Sequence, residues 1–181
     1  MKNNTWETIT KPIVVLGVIA MVVSLLLAVV NSFTAPVIEE NNRAATLAAY
    51  VDVMPSVSNA ADLEEVDCDV SNVTGVVRYS DGSVAVKAEE SGFDGGIVTV
   101  IMGFDAEGTI TGVYVDALSQ TSGIGSHIAD PEMKDQFVGH NASSNVAMGQ
   151  DGLDGRTGAT FSSKALFAAA NDCIDAYNAV A

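Results

Sequence analysis

Residues 96–118 read "GIVTVIMGFDAEGTITGVYVDAL", and this stretch decides the fold. Ile97, Val98, Val100 and Ile101 lie on one side of the turn "DAEG", and Ile110, Val113 and Val115 on the other. β-Branched runs around a glycine-bearing turn predict an antiparallel hairpin. Just upstream, "GVVRYSDGSVAVKAEE" at 75–90 repeats the pattern around Asp81-Gly82, a preferred turn dipeptide. Downstream, "DPEMKDQFVG" at 130–139 predicts a short helix, with Asp130 as cap and Pro131 in its first position. "HNASSNVAMGQDGLDG" holds one short predicted strand among turn signals. "SSKALFAAANDCIDAYNAV" then predicts a helix capped by Ser162 or Ser163. Its Leu166, Phe167, Ala170, Ile174 and Tyr177 recur at helical spacing, so one face packs on the sheet. Two strand pairs followed by helices give an α+β class with an antiparallel sheet.

Towards the N-terminus the composition changes. From Pro12 to Ile38 there is no charged residue. That exceeds the roughly 20 apolar residues needed to cross a bilayer. The run is too long for a signal peptide, and "NSFTAPVIEE" offers no small-x-small cleavage site. Lys2 and Lys11 precede the run, whereas Glu39, Glu40 and a single Arg43 follow it. This bias predicts a cytoplasmic N-terminus and an extracytoplasmic body. The expected organisation is a cytoplasmic segment at 1–11, a transmembrane helix at 12–35, a stalk or linker at 36–70, and a domain at 71–181.

A formal charge of −15 repels phosphate backbones, which argues against nucleic acid as a partner. Cys68 and Cys173 are too few for a disulfide framework and form no Cys-x-x-Cys pair, so separate thiols are expected. His127 and His140 have no Ser or Cys partner in a recognised catalytic arrangement. "DGLDG" at 151–155 lacks the spacing of a calcium loop, and no metal site is expected. "NNT", "NVT" and "NAS" match the glycosylation pattern at a frequency that chance explains in an Asn-rich chain.

The chemistry points to "DGRTGATFSSKAL", residues 154–166. Thr160 stands just ahead of the last helix, where unpaired amides and the helix dipole favour a phosphate. Gly158 and Ala159 leave the approach to its hydroxyl uncrowded, and Thr157, Ser162 and Ser163 add hydroxyl donors. Simple helix capping explains most of the same residues, so both readings stand. "SGFDGG" at 91–96 and "QTSGIG" at 120–125 permit either tight turns or the close approach of a planar ligand.

Taken in order, "GFDGGIVTVIMGFDAEGTITGV", "QTSGIGSHI…QFVG" and "DGRTGAT" resemble the FMN-binding domain shared by the G subunits of Rnf complexes and the C subunits of sodium-pumping NADH:quinone reductases. The apolar N-terminal segment resembles that of the Rnf proteins as well. The resemblance implies a small antiparallel-sheet FMN-binding domain behind a single membrane helix. It implies FMN in phosphoester linkage to Thr160, with Thr157, Gly158, Ala159 and Ser162 around the attachment. Asp154 and Gly155 complete a signature read by a separate flavin transferase, which uses FAD and a divalent metal. Gln120, Thr121, Ser122, Gly123 and Ile124 are implied to border the flavin ring. An acidic residue followed by Thr-Pro is common there, whereas this chain has Gln120, Thr121 and Ser122.

The implied function is electron relay in a membrane complex that couples ferredoxin–NAD electron transfer to sodium-ion or proton translocation, with no catalysis by this subunit alone. Implied partners are the other membrane subunits, the flavin transferase and membrane lipid. The residues also admit a flavinylated carrier serving another system, such as quinone reduction or extracellular respiration. An anchored binding module without redox chemistry is a further alternative.

Overall fold

The computed structural model describes residues 10–181. Lys2, the "NNT" tripeptide and most of the expected cytoplasmic segment lie outside the described residues. Contacts divide the chain into two compact units, Met1–Ala45 and Thr46–Ala181.

Helix α1 runs without a break from Lys11 to Val53. It is long and apolar enough to cross a membrane, and none of its most apolar window is buried by protein. Pro36 lies inside it. Ser32 and Thr34 donate their hydroxyls back to carbonyls three or four residues earlier.

The second unit is built on one five-stranded antiparallel sheet in sequence order. The short β1 (Glu64–Glu65) precedes β2 (Val73–Arg78), β3 (Val84–Ser91), β4 (Ile97–Phe104) and β5 (Ile110–Asp116). Both expected hairpins are present: Arg78 pairs with Val84 across the first turn, and Phe104 with Ile110 across the second. The turn carboxylates fasten these corners. Asp81 accepts from the Ser83 amide at 2.8 Å, and Asp105 accepts from the Thr109 amide at 2.7 Å.

Alternation along the strands sorts side chains to two faces. Val84, Val86 and Ala88 of β3 join Val98, Val100, Met102 and Phe104 of β4 beneath α3 (Thr160–Val180). The helix contributes Leu166, Phe167, Ala170, Ile174 and Tyr177 to this core, the face expected from its spacing. A short α2 (Pro131–Lys134) starts at Pro131, as expected, although Asp130 makes no cap bond. Its carboxylate instead pairs with His127 Nδ1 at 2.9 Å.

The opposite face carries Val77, Ala85 and Ile101, covered by Ala49, Tyr50, Val53, Met54 and Val57. Much of the expected stalk is therefore core. The end of α1 fits because Gly103 and Gly112 pair across β4 and β5 directly beneath it. A Cβ on Gly103 would stand 2.2 Å from the Val53 carbonyl oxygen, and one on Gly112 2.8 Å from its Cα. Thr111 donates its hydroxyl to that same oxygen at 2.7 Å, closing the helix end onto the sheet.

The strand expected within 140–155 does not form. Only single bridges appear there, Thr109 with Asn141 and Gln150 with Leu153, because turns interrupt the segment.

Candidate functional site

The N-terminal end of α3 opens onto a cavity of about 410 Å³, within the range of roughly 300–1,000 Å³ typical of small-molecule sites. Phe93, Thr121, Ile124 and Gly125 form one side, and Gly158 through Ser162 form the other. No lining residue carries a charge. In a chain of formal charge −15, this is a place where an anion escapes direct repulsion.

The helix start differs from the sequence expectation. α3 begins at Thr160, with Ala159 as N-cap and no side-chain cap. Ser162 and Ser163 lie within the first turn and are engaged elsewhere. The Ser162 hydroxyl donates to Gln120 Oε1 at 2.7 Å, and Ser163 Oγ accepts from the Arg156 amide at 2.9 Å. Capping therefore does not account for this cluster of hydroxyls. The first-turn amides ahead of Ser163 have no intrahelical acceptor, and the dipole of a 21-residue helix adds positive potential at the same point.

Thr160 is exposed and lines the cavity, so its hydroxyl stands at that positive end. Gly158 approaches it with φ of 85°, a left-handed conformation that favours glycine. A Cβ at Gly158 would meet no atom within 4 Å, so backbone conformation rather than crowding sets the requirement there. Phe93 and Phe161 face each other across the mouth, with centroids 6.2 Å apart at an interplanar angle of 54°. Both rings are about half or more exposed, at 52% and 66%. Exposed aromatic rings beside uncharged walls suit a planar heteroaromatic ligand, and the open helix end suits its phosphate. The residues present thus fit FMN.

The expected site residues divide into three groups. Thr160, Ala159, Gly158, Ser162, Thr121 and Ile124 line the cavity. Gln120 is buried behind it, bonded to Ser162, while Ser122, Gly123 and Thr157 are exposed outside the lining. Asp154 and Gly155 lie further along the entering strap. The Asp154 backbone is held by both ends of the Gln136 amide, at 2.8 and 3.1 Å, leaving its carboxylate exposed. Phe93, Gly125 and Phe161 were not anticipated. The signal available in the sequence was an aromatic inside "SGFDGG" and another directly after "TGAT".

Other reactive groups lie apart from the cavity. Cys68 and Cys173 are separate free thiols, and burial pushes the Cys173 thiol well above its ordinary range, leaving it protonated. Among the described residues no cluster of three or more His, Cys, Asp or Glu side chains forms a metal site.

Comparison with known proteins fits this geometry. Residues 92–175 match the FMN-binding domain family, and residues 1–53 match the RnfG N-terminal region. The G subunit of the Na(+)-translocating ferredoxin:NAD(+) oxidoreductase complex of Acetobacterium woodii is 30% identical, over 95% of this chain and 93% of that protein. The chain belongs to the RnfG family. A second member, the G subunit of the ion-translocating oxidoreductase complex of Methanosarcina acetivorans, is 32% identical over 93% of this chain and 94% of its own. The fold extends further. The C subunit of the Na(+)-translocating NADH-quinone reductase from Parabacteroides distasonis superposes with a TM-score of 0.56 at 18% identity, covering 77% of this chain and 92% of that one.

Proposed function

We propose that this RnfG family member carries FMN in phosphoester linkage to Thr160 and relays electrons inside a membrane complex. One observation carries the attachment: Thr160 presents an exposed hydroxyl at an uncapped helix N-terminus, beside an uncharged cavity with two aromatic rings. In maturation the Thr160 hydroxyl gives up its proton and forms a bond to phosphorus. The pyrophosphate bond of FAD breaks and AMP leaves, so no oxidant or reductant is consumed. A separate flavin transferase, using a divalent metal, reads Asp154 through Thr160, and the exposed Asp154 carboxylate and Thr157 hydroxyl are accessible to it.

Once attached, FMN supplies one- and two-electron chemistry. The chain's own residues hold and surround it. First-turn amides of α3 stabilise the phosphate, Phe93, Ile124 and Phe161 shield the ring from water, and the lack of lining carboxylates keeps the local field from opposing reduction. A covalent link suits a strongly acidic domain, which would retain a free anionic cofactor poorly.

The protein is not catalytic alone. It works with the other membrane subunits of a ferredoxin:NAD oxidoreductase complex that translocates sodium ions or protons. Helix α1 anchors it in lipid through the apolar stretch ending near Ile38, with the flavin domain outside the cytoplasm. The test is co-expression of the full chain with a flavin transferase. Denatured wild-type protein is expected to keep flavin fluorescence on a gel, and Thr160→Ala to lose it. Equal fluorescence in the two would overturn the attachment.

A further inference from the structure

Behind the cavity wall lies an uncharged side chain whose position the lining alone does not explain. Gln120 is 5% exposed and joins segments far apart in sequence. Its Oε1 accepts from the Phe93 amide at 3.1 Å and from the Ser162 hydroxyl at 2.7 Å. Its Nε2 donates to the Gly96 carbonyl at 2.7 Å. The partners fix the orientation of the amide, since a backbone N–H must meet oxygen and a carbonyl must meet NH₂.

Three glycines make room for this group. A Cβ on Gly92 would stand 2.5 Å from Gln120 Oε1, one on Gly96 2.7 Å from Nε2, and one on Gly125 3.0 Å from the Gln120 Cβ. Gly92 and Gly96 therefore have a purpose besides turn formation, because their backbones close on the Gln120 amide, and Gly125 leaves room for its stem and for the Ser162 hydroxyl. That amide ties the loop bearing Phe93 to the first turn of α3, which bears Thr160 and Phe161.

We infer that Gln120 is a positioning residue, a neutral latch that sets the two aromatic walls and the Thr160 helix end in one fixed arrangement. With its partners in this chain the side chain uses both a donor and an acceptor, which an ionised carboxylate does not offer. The acidic residue common at this place in the resembled domains therefore has to meet other partners or keep its proton. Glutamate would bring a lone pair against the Gly96 carbonyl, and it regains the donor only when protonated. Nearby carboxylates do not supply this chemistry: Asp94 is exposed, and Asp116 is engaged with the Leu118 amide at 2.9 Å. The proposal rests on the flavin reading for its spectroscopic consequence and on the protein geometry alone for its structural one.

The experiment compares full-length wild type with Gln120→Glu by amide hydrogen exchange at pH 8 and pH 5, and records the visible circular dichroism of the attached flavin. In the variant at pH 8 a carboxylate oxygen still accepts from the Phe93 amide, but the bond to the Gly96 carbonyl is lost. Protection of the Gly92 amide, which donates to that same carbonyl, is therefore expected to fall roughly tenfold, the loss of one buried hydrogen bond near the upper end of the usual range. It recovers towards wild type at pH 5 as the carboxyl protonates, and the flavin signal follows the same pH course. Ser162→Ala provides an independent probe. It removes one donor from Oε1 and is expected to lower Phe93 protection about threefold, as for a bond worth less than a kcal/mol net, although Phe93 lies far away in sequence. Wild-type protection in both variants, or an equal loss at both pH values in Gln120→Glu, overturns the latch. If the protection changes appear but wild type carries no flavin on Thr160, the latch stands and the flavin reading fails.

Discussion

Two cavities of similar size lie in the folded domain, and their linings are opposite in character. The one at the start of α3, about 410 Å³, has no charged wall. The other, about 360 Å³, is bordered by Asp81, Asp105 and Glu107 together with Met54, Ser56, Ser83 and Thr111. Two of its carboxylates, Asp81 and Asp105, serve the hairpin turns. Asp81 is bonded to both the amide and the hydroxyl of Ser83, which holds its carboxyl below the usual range. Among the described residues no carboxylate lines the cavity at the helix end. Volume alone would not separate a cofactor site from a turn; the sign of the local field does.

The sharpest way to break this contrast is Thr160→Ala. It is expected to abolish flavin attachment and electron throughput while leaving thermal stability within about 0.5 kcal/mol, as for exposed substitutions in general. Flavin content and a melting curve on the same preparation check both halves. Next, Ile124→Asp moves the character of the acidic cavity into the neutral one. For like charges about 8 Å apart at an effective dielectric near 20, the repulsion is roughly 2 kcal/mol. Flavin loading is expected to fall by more than tenfold in a timed transferase assay, whereas Glu107→Gln in the other cavity leaves it unchanged. Gly158→Ala then tests the backbone approach. Forcing a Cβ into the left-handed region costs roughly 1–2 kcal/mol, which should lower the melting temperature by a few degrees and slow loading.

The smallest effect concerns the acidic cavity itself. Because the folded-state pKa of Asp81 lies below its unfolded value, its stabilising contribution is present above the unfolded pKa. It is lost as the pH falls through the folded one. Asp81→Asn is therefore expected to flatten the acid limb of a stability–pH profile below about pH 4, the ordinary carboxylate range. It should leave loading at neutral pH unchanged.

The hairpins were legible because their signals are local: Asp81-Gly82 and the "DAEG" turn lie within the elements they shape. The segment from Gly158 to Ser162 that borders the neutral cavity was legible for the same reason, since these residues are contiguous. The helix start was misplaced because the fate of Ser162 is decided by Gln120 across the fold, a partner that propensity cannot see. The burial of residues 49–57 was missed although Tyr50, Val53, Met54 and Val57 carry helical spacing. The polar, broken stretch after them read as a linker, so the start of the domain was placed too late in the chain. The role of the glycines at 103 and 112 was not legible, because only the register shows that they face each other under Val53.

The most direct measurement is mass spectrometry of the proteolytic peptide that bears Thr160, from protein purified out of its native membrane. The account predicts that this peptide carries the mass of FMN less one water, with fragment ions assigning the addition to the Thr160 hydroxyl. An unmodified Thr160 in protein whose complex is active, or flavin on a different residue, would contradict it.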